Sequence, residues 1–292
     1  MKLIAIIPAY NEESTIGDVI KATSRFVDEI LVINDGSTDK TSEAARNAGA
    51  TIIDNIVNRG LGKTIKRGYD EAIKRGANIV VQIDADGQYD PEEIPKLIKP
   101  ILDNKADLVL GSRLKNLKYE MPWIKKQGNK TFTWLLCMLT GADIRDGQTG
   151  FRAARKEVFE TIELHGDFTY TQEMIVKASK EGWRIENIPI NFYERNAGES
   201  RLISSPLSYA WRAGIIIFRT VRDYDPLKFF GIPGVFFILA GLLSGFAILY
   251  KFAFVGYIGH IPAIILTGLL IMSGIQLVFI GLIADMIKTN RD

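Results

Sequence analysis

Asp84, Asp86 and Gln88 occupy alternate positions in Asp84-Ala85-Asp86-Gly87-Gln88, directly after the apolar run Ile79-Val80-Val81-Gln82-Ile83. Two carboxylates and an amide oxygen at this spacing are hard ligands. They suit Mg²⁺ or Mn²⁺ held largely through the phosphates of a substrate. Such an ion neutralises a diphosphate and stabilises charge as that group leaves. The plainer alternative is a solvated turn. It is preferred for Asp90, which precedes Pro91-Glu92-Glu93 as a helix cap, whereas Asp86 is read as functional.

Three further polar motifs end apolar runs in the same way. Pro8-Ala9-Tyr10-Asn11-Glu12 follows Leu3-Ile4-Ala5-Ile6-Ile7, and Asp35-Gly36-Ser37-Thr38-Asp39 follows Glu29-Ile30-Leu31-Val32-Ile33-Asn34. Gly111-Ser112-Arg113 follows Ala106-Asp107-Leu108-Val109-Leu110. A further strand is expected at Ala50-Thr51-Ile52-Ile53. Helical spacing is expected over Glu12 to Phe26 (Ile16, Val19, Ile20 and Thr23 inward), Gly62 to Lys74 (Ile65, Tyr69 and Ile73 inward) and Ile94 to Leu102. Strands alternating with helices predict an α/β fold, a mostly parallel sheet with helices on both faces. Ligands bind such sheets beyond the carboxyl ends of the strands, where all four motifs fall. No Gly-x-Gly-x-x-Gly turn follows the first strand. Asn58-Arg59-Gly60-Leu61-Gly62-Lys63-Thr64 lacks the spacing of a nucleoside-triphosphate loop.

The net charge of +2 gives no general case for nucleic acid as a partner. The single cysteine, Cys137, sits among large apolar residues and is read as buried filler, consistent with a cytosolic main domain. The chain start runs straight into a strand pattern and is too short for a signal peptide, so the soluble part is expected to stay on the side where it is made.

The second half differs in kind. Phe229 to Tyr250 is 22 residues without a charge, and Phe252 to Ala284 is uncharged apart from His260, with its helical part expected near Pro262. About 20 residues of helix cross a hydrocarbon core of about 30 Å. Two transmembrane helices are therefore expected, in a division of residues 1–225 as catalytic domain and 229–292 as a two-helix region with a short tail. Arg219, Arg222 and Lys228 precede the first span, and Lys288 and Arg291 follow the second. The positive-inside rule then predicts a multi-pass protein of the cell membrane, with catalytic domain and both termini cytoplasmic. Gly241 with Gly245, and Gly274 with Gly281, give small faces for packing within one chain or in a homo-oligomer. Trp123 to Leu139 and Leu202 to Phe218 mix apolar residues with Lys, Arg and Trp and read as interfacial helices, with Tyr209 and Trp211 at headgroup level. A phosphate-handling domain held at a bilayer suggests a water-soluble donor and a lipid acceptor.

These motifs, with Asn58 to Lys63 and Thr149-Gly150-Phe151-Arg152, resemble the family-2 glycosyltransferases of the GT-A fold. Within that family the chain is similar to the dolichyl-phosphate mannose synthase-like polyprenyl-phosphate glycosyltransferases. The resemblance spans residues 1 to about 200. It implies inverting transfer of a hexose, mannose or glucose, from GDP-mannose or UDP-glucose to a polyprenyl or dolichyl phosphate. By the same resemblance Pro8, Tyr10, Glu12, Asp35 and Lys63 lie at the nucleoside, Asp84 at the ribose or sugar, and Asp86 and Gln88 at the metal. Arg113 is expected to hold the acceptor phosphate bidentately, with Lys125 or Lys126 as a second basic group on an amphipathic segment. Arg195 and Arg201 are expected over the donor phosphates. Asp146 is expected to orient the donor sugar or a basic side chain rather than act as a general base. Asn34 departs from an Asp found in many members, with a modest expected effect on nucleotide contacts. A membrane glycosyltransferase acting on a lipid hydroxyl such as diacylglycerol, and an inert membrane scaffold, are the competing readings.

Overall fold

The computed structural model describes residues 1–113, 123–162, 170–194, 219, 222–223, 225–256 and 261–289, without the side chains at 123–126, 132, 135, 139 and 255. Two compact units divide the chain, 1–213 and 214–292.

Among the described residues of the first unit, seven strands form one sheet in the order β3-β2-β1-β4-β6-β5-β7. They are β1 (Leu3–Ala9), β2 (Glu29–Asn34), β3 (Thr51–Asp54), β4 (Ile79–Gln82), β5 (Leu108–Ser112), β6 (Arg152–Arg155) and β7 (Ile185–Pro189). β1 pairs in parallel with β2 and β4, β2 with β3, and β5 with β7. Of these seven described strands β6 alone runs against its neighbours, between β4 and β5.

The helices are α1 (Ile16–Thr23), α2 (Thr41–Asn47), α3 (Leu61–Lys74), α4 (Ile94–Leu102), α5 (Trp123–Thr140), α6 (Lys156–Thr161) and α7 (Tyr170–Lys180). Every residue of β1 is buried, and alternate residues feed opposite faces. Leu3, Ala5 and Ile7 join Ile16, Val19 and Ile20 of α1 with Leu97 of α4 in one cluster. On the other face Gly68 of α3 lies so close to Ile6 and Ile33 that an added Cβ would stand 2.9 Å from the Ile33 Cδ1. A fully buried isoleucine contributes roughly 1.5–3 kcal/mol, so the continuous apolar strands are what hold helices to both faces.

The structure corrects some boundaries. α1 begins at Ile16 rather than Glu12, because residues 12–15 form a turn, with Thr15 N donating to Glu12 O at 3.2 Å. Ala72, rather than Ile73, completes the buried face of α3. Asp90 caps the short 3-10 turn Pro91–Glu93 through Glu92 N at 3.0 Å, as its position before Pro91 implies. The expected helix at Trp123 is present as α5, while the segment Leu202 to Phe218 lies outside the described residues.

β1, β2, β4 and β5 all point their carboxyl ends to one sheet edge, and β6 starts there because it is reversed. Gln82 and Leu110 both pair with Arg152. The segment Asp146 to Phe151 is thereby delivered to the edge that carries residues 10–12, 35, 84–88 and 113.

The second unit contains α8 (Pro226–Val255) and α9 (Ile261–Thr289), both long and apolar enough to cross a membrane. Only 11% and 6% of their apolar windows are buried, so most of this surface is free to meet lipid. α8 ends at Gly256, whose φ of 70° is left-handed and whose N–H caps Phe252 O at 3.0 Å. The helices meet along a seam of small residues. A Cβ on Gly234 would stand 2.8 Å from Gly274 O, and one on Gly274 would stand 2.6 Å from Gly234 O. Gly241 faces Ile271, Gly281 faces Phe230, and the hydroxyls of Ser244 and Thr267 lie 2.8 Å apart. The glycines expected to serve packing therefore serve it within the chain.

Candidate active site

On the side of β1 to β3, two loops are stitched together. Asn11, at a left-handed φ of 54°, accepts Thr38 N at 2.7 Å and donates its own N–H to Ser37 Oγ at 2.9 Å. Glu12 N donates to Thr41 Oγ1 at 2.8 Å. Asn34 donates to Ser42 of α2 and to Asp54 at the end of β3 and accepts Ser37 N, so its amide ties the loop after β2 to both. Asp35 is buried, and its carboxylate accepts Asn55 Nδ2 at 2.9 Å, Arg59 N at 2.8 Å and Gly60 N at 3.0 Å. It closes the loop before α3. Tyr10 is exposed at this rim and Lys63 is exposed in the first turn of α3, while Pro8 is buried inside β1 opposite Ile33.

The acidic loop follows β4. Asp84 is half-buried against Gly150, where an added Cβ would lie 2.4 Å from its Oδ2. Burial, and then the nearby Asp86 carboxylate, push the Asp84 carboxyl up to about 7, against the pull of Arg113 and Arg152. Asp86 Oδ1 accepts Gln88 N at 3.1 Å. Gln88 Nε2 donates to Tyr193 O at 3.2 Å, and Tyr193 N returns a bond to Gln88 O at 2.9 Å. Among the described residues no three His, Cys, Asp or Glu side chains converge as a metal cage. The oxygen donors Asp86 and Gln88, beside a second acid that repels the first, fit a hard divalent cation whose remaining ligands come from phosphates and water.

Beyond β5, Arg113 and Asp146 form a buried clamp. Asp146 is 0% and Arg113 13% exposed at the side chain. Arg113 Nε donates to Asp146 Oδ2 at 2.7 Å and Nη2 to Oδ1 at 3.0 Å. The same carboxylate accepts Arg113 N, Gln148 N and Asn129 Nδ2. Burial raises the Asp146 carboxyl, but the Arg113 guanidinium and these hydrogen bonds outweigh it and hold it below the usual carboxylate range. Asp146 thus holds the guanidinium of Arg113 along its Nε–Nη2 edge. The guanidinium lies 5.2 Å from the centre of the Phe192 ring. Phe192 packs on Tyr89 at 5.0 Å and Tyr89 on Phe151 at 5.3 Å. Tyr89 Oη accepts Gly150 N at 2.9 Å.

The family model for glycosyl transferase family 2 matches residues 4–163, from β1 through α6. The chain belongs to this family.

Among family-2 relatives, glycosyltransferase AglJ of Haloferax volcanii is 30% identical over 286 residues, covering 96% of this chain and 91% of that one. A dolichol-phosphate mannosyltransferase of Pyrococcus furiosus is 31% identical over 280 residues, 90% of this chain and 77% of that one. A glucosyl-3-phosphoglycerate synthase from Mycobacterium tuberculosis, solved with Mn²⁺, UDP and its product, shares the fold with a TM-score of 0.59. It is 23% identical and the match covers 75% of this chain and 78% of that one.

Several supports of this glycosyltransferase site escape sequence reading. Tyr89 is adjacent to Gln88, a usable signal, but Phe192 and Asn129 carry none. Arg152 is completely buried, bonded to Thr149 O and, at 3.4 Å, to Met174 Sδ, with its guanidinium 5.5 Å from the Tyr170 ring centre. Beside it Gln82 accepts Tyr69 Oη and donates to Tyr170 Oη at 3.0 Å. Lys125 and Lys126 lie in the first turn of α5 with side chains outside the described residues, as are Arg195 and Arg201 altogether.

Proposed function

We propose that this enzyme transfers a hexose, with inversion, from a nucleotide diphosphate sugar to a polyprenyl or dolichyl phosphate at the cytoplasmic membrane face. The observation that carries the reading is the Arg113–Asp146 clamp, standing at the same sheet edge as the acidic loop Asp84 to Gln88. The two-span hairpin in the same chain supports a lipid acceptor, as does the name of the Pyrococcus furiosus relative, whose match extends over 90% of this chain. GDP-mannose and UDP-glucose are the expected donors.

Tyr10, Glu12, Lys63 and the Asp35-closed loop hold the nucleoside, with Pro8 supporting them from β1. Asp84 orients the ribose or sugar. Asp86 and Gln88 would hold Mg²⁺ or Mn²⁺, which when bound supplies countercharge to the diphosphate. Arg195 and Arg201 cover the donor phosphates. Arg113, fixed by Asp146 along its Nε–Nη2 edge, presents its Nη1 side to the acceptor phosphate, assisted by Lys125 or Lys126. A phosphate oxygen of the acceptor attacks the anomeric carbon, the bond from that carbon to the diphosphate oxygen breaks, and the nucleoside diphosphate leaves. No strong base is required, because a phosphate monoester with a second pKa of about 6 is already anionic. Asp146 is ill-suited to that task, since its oxygens are engaged and its proton affinity is depressed.

The basic residues before α8 and after Asp285 favour both termini on the cytoplasmic side. A screen of nucleotide sugars against polyprenyl phosphate and diacylglycerol in membranes tests the reading. A labelled lipid that resists mild base and falls to mild acid is expected. Label on diacylglycerol alone would refute the phosphate acceptor.

A further inference from the structure

Between Thr267 and Asp285, Ser273 and Gln276 are the only side chains of α9 with oxygen or nitrogen. Gln276 is exposed on the helix surface, and among the described residues its amide has no hydrogen-bond partner. It lies nine residues before Asp285 and fifteen after Ile261. At 1.5 Å per residue those are about 13 Å and 22 Å, near the middle of a hydrocarbon core of about 30 Å.

The seam with α8 cannot supply its partner. Thr267, Ile271, Gly274, Val278 and Gly281 face α8. At about 100° per residue those positions cluster in one direction, and Gln276 points roughly 180° away from it. Its surroundings on that face are exposed apolar residues, Leu269, Met272, Phe279, Ile280 and Ile283. An amide with two N–H donors and an acceptor oxygen has no water to bond at this depth.

We infer that this face of α9 joins two copies of the chain in the bilayer, with the two Gln276 carboxamides bonded to each other across a two-fold axis. Identical chains inserted in one orientation bring their amides to the same depth, so register is set by identity. The carboxamide is also self-complementary, since each N–H can meet the other copy's oxygen. Glutamine pairs of this kind drive association between apolar helices.

The test uses the full chain in liposomes, with donor- and acceptor-labelled copies diluted into increasing lipid. Energy transfer should report an association that Gln276→Leu weakens about five- to thirty-fold and Gln276→Asn weakens less. Leucine suits a lipid-facing position, so insertion is preserved. In a Cys137→Ser background, Met272→Cys should cross-link between copies under mild oxidation. Leu243→Cys, exposed on α8 away from the seam, should not. Energy transfer no greater than that of an unrelated monomeric two-span protein would overturn the inference. So would a Gln276→Leu dilution curve that superimposes on the wild type.

Discussion

Gly150→Ala should impair transfer far more than it impairs folding. The added methyl would lie 2.4 Å from Asp84 Oδ2, 2.8 Å from Oδ1 and 2.9 Å from Cγ. Real Cβ contacts essentially never fall under 3.0 Å, so the carboxylate must retreat by at least about 0.6 Å. The obstruction is the end of a side chain and not backbone, so the overpacking should cost about 1–3 kcal/mol of stability. The same displacement falls on the carboxylate proposed to orient the donor's ribose or sugar, where a misplacement near 1 Å can cost about 10²-fold in rate. Thermal unfolding in nanodiscs, nucleotide titration calorimetry and single-turnover transfer together measure the split. A rate within two-fold of wild type, with Asp84 displaced in a crystal structure of the variant, would show that the Asp84 position does not matter. A loss of folding in step with the loss of rate would show that Gly150 is structural only.

Asp86→Ala should abolish metal-dependent transfer while leaving the fold, and Gln88→Ala should lose less, read as turnover at saturating Mg²⁺ or Mn²⁺; near-normal turnover in Asp86→Ala would sink the assignment. Arg113→Ala should lower acceptor use by about 10²-fold or more with nucleotide affinity retained, and Arg113→Lys should restore only part. Because it leaves Asp146 buried and unpaired, Arg113→Ala should also lose about 3–5 kcal/mol of stability. The double variant with Asp146→Asn should recover stability but not transfer. The Asp146 carboxyl is depressed in the fold, so its contribution to stability is complete above the unfolded value of about 3.9 and is lost as pH falls through the lower folded value. The stability gap between wild type and Asp146→Asn should therefore narrow only below about pH 4, as read by melts across pH. Phe192→Leu should raise the acceptor KM several-fold with little change in nucleotide affinity, and Phe192→Tyr should rescue it; an unchanged acceptor dependence would remove the ring from the account.

The sequence is informative where one period dominates. α4 is read to the residue and α3 within one, because their apolar spacing is unbroken, and β1 and β4 announce themselves as continuous apolar runs. The convergence of residues 10–12, 35, 84–88 and 113 follows from the rule that parallel strands present their carboxyl ends together. β6 is not legible in the same way. Arg152-Ala153-Ala154-Arg155 has charged ends and small centres, and its fully buried arginine is acceptable only because aromatic and carbonyl partners surround it. The occupation of the Arg113 fork is equally hidden. Asp146 lies 33 residues away, and only the reversed strand brings it back.

That reversed strand has a consequence for redesign. Arg152 is in register with Gln82 on one side and Leu110 on the other, so β6 meshes with both neighbours like a single cog between two racks. An insertion or deletion between Gly141 and Phe151 that let the strand slip by two residues would carry Gly150 about 7 Å along the edge. Gly150 would then leave Asp84, and Asp146 would leave Arg113. Acceptor preference should therefore be transplantable between relatives only as one cassette, from Ala106 through Arg155, and not loop by loop.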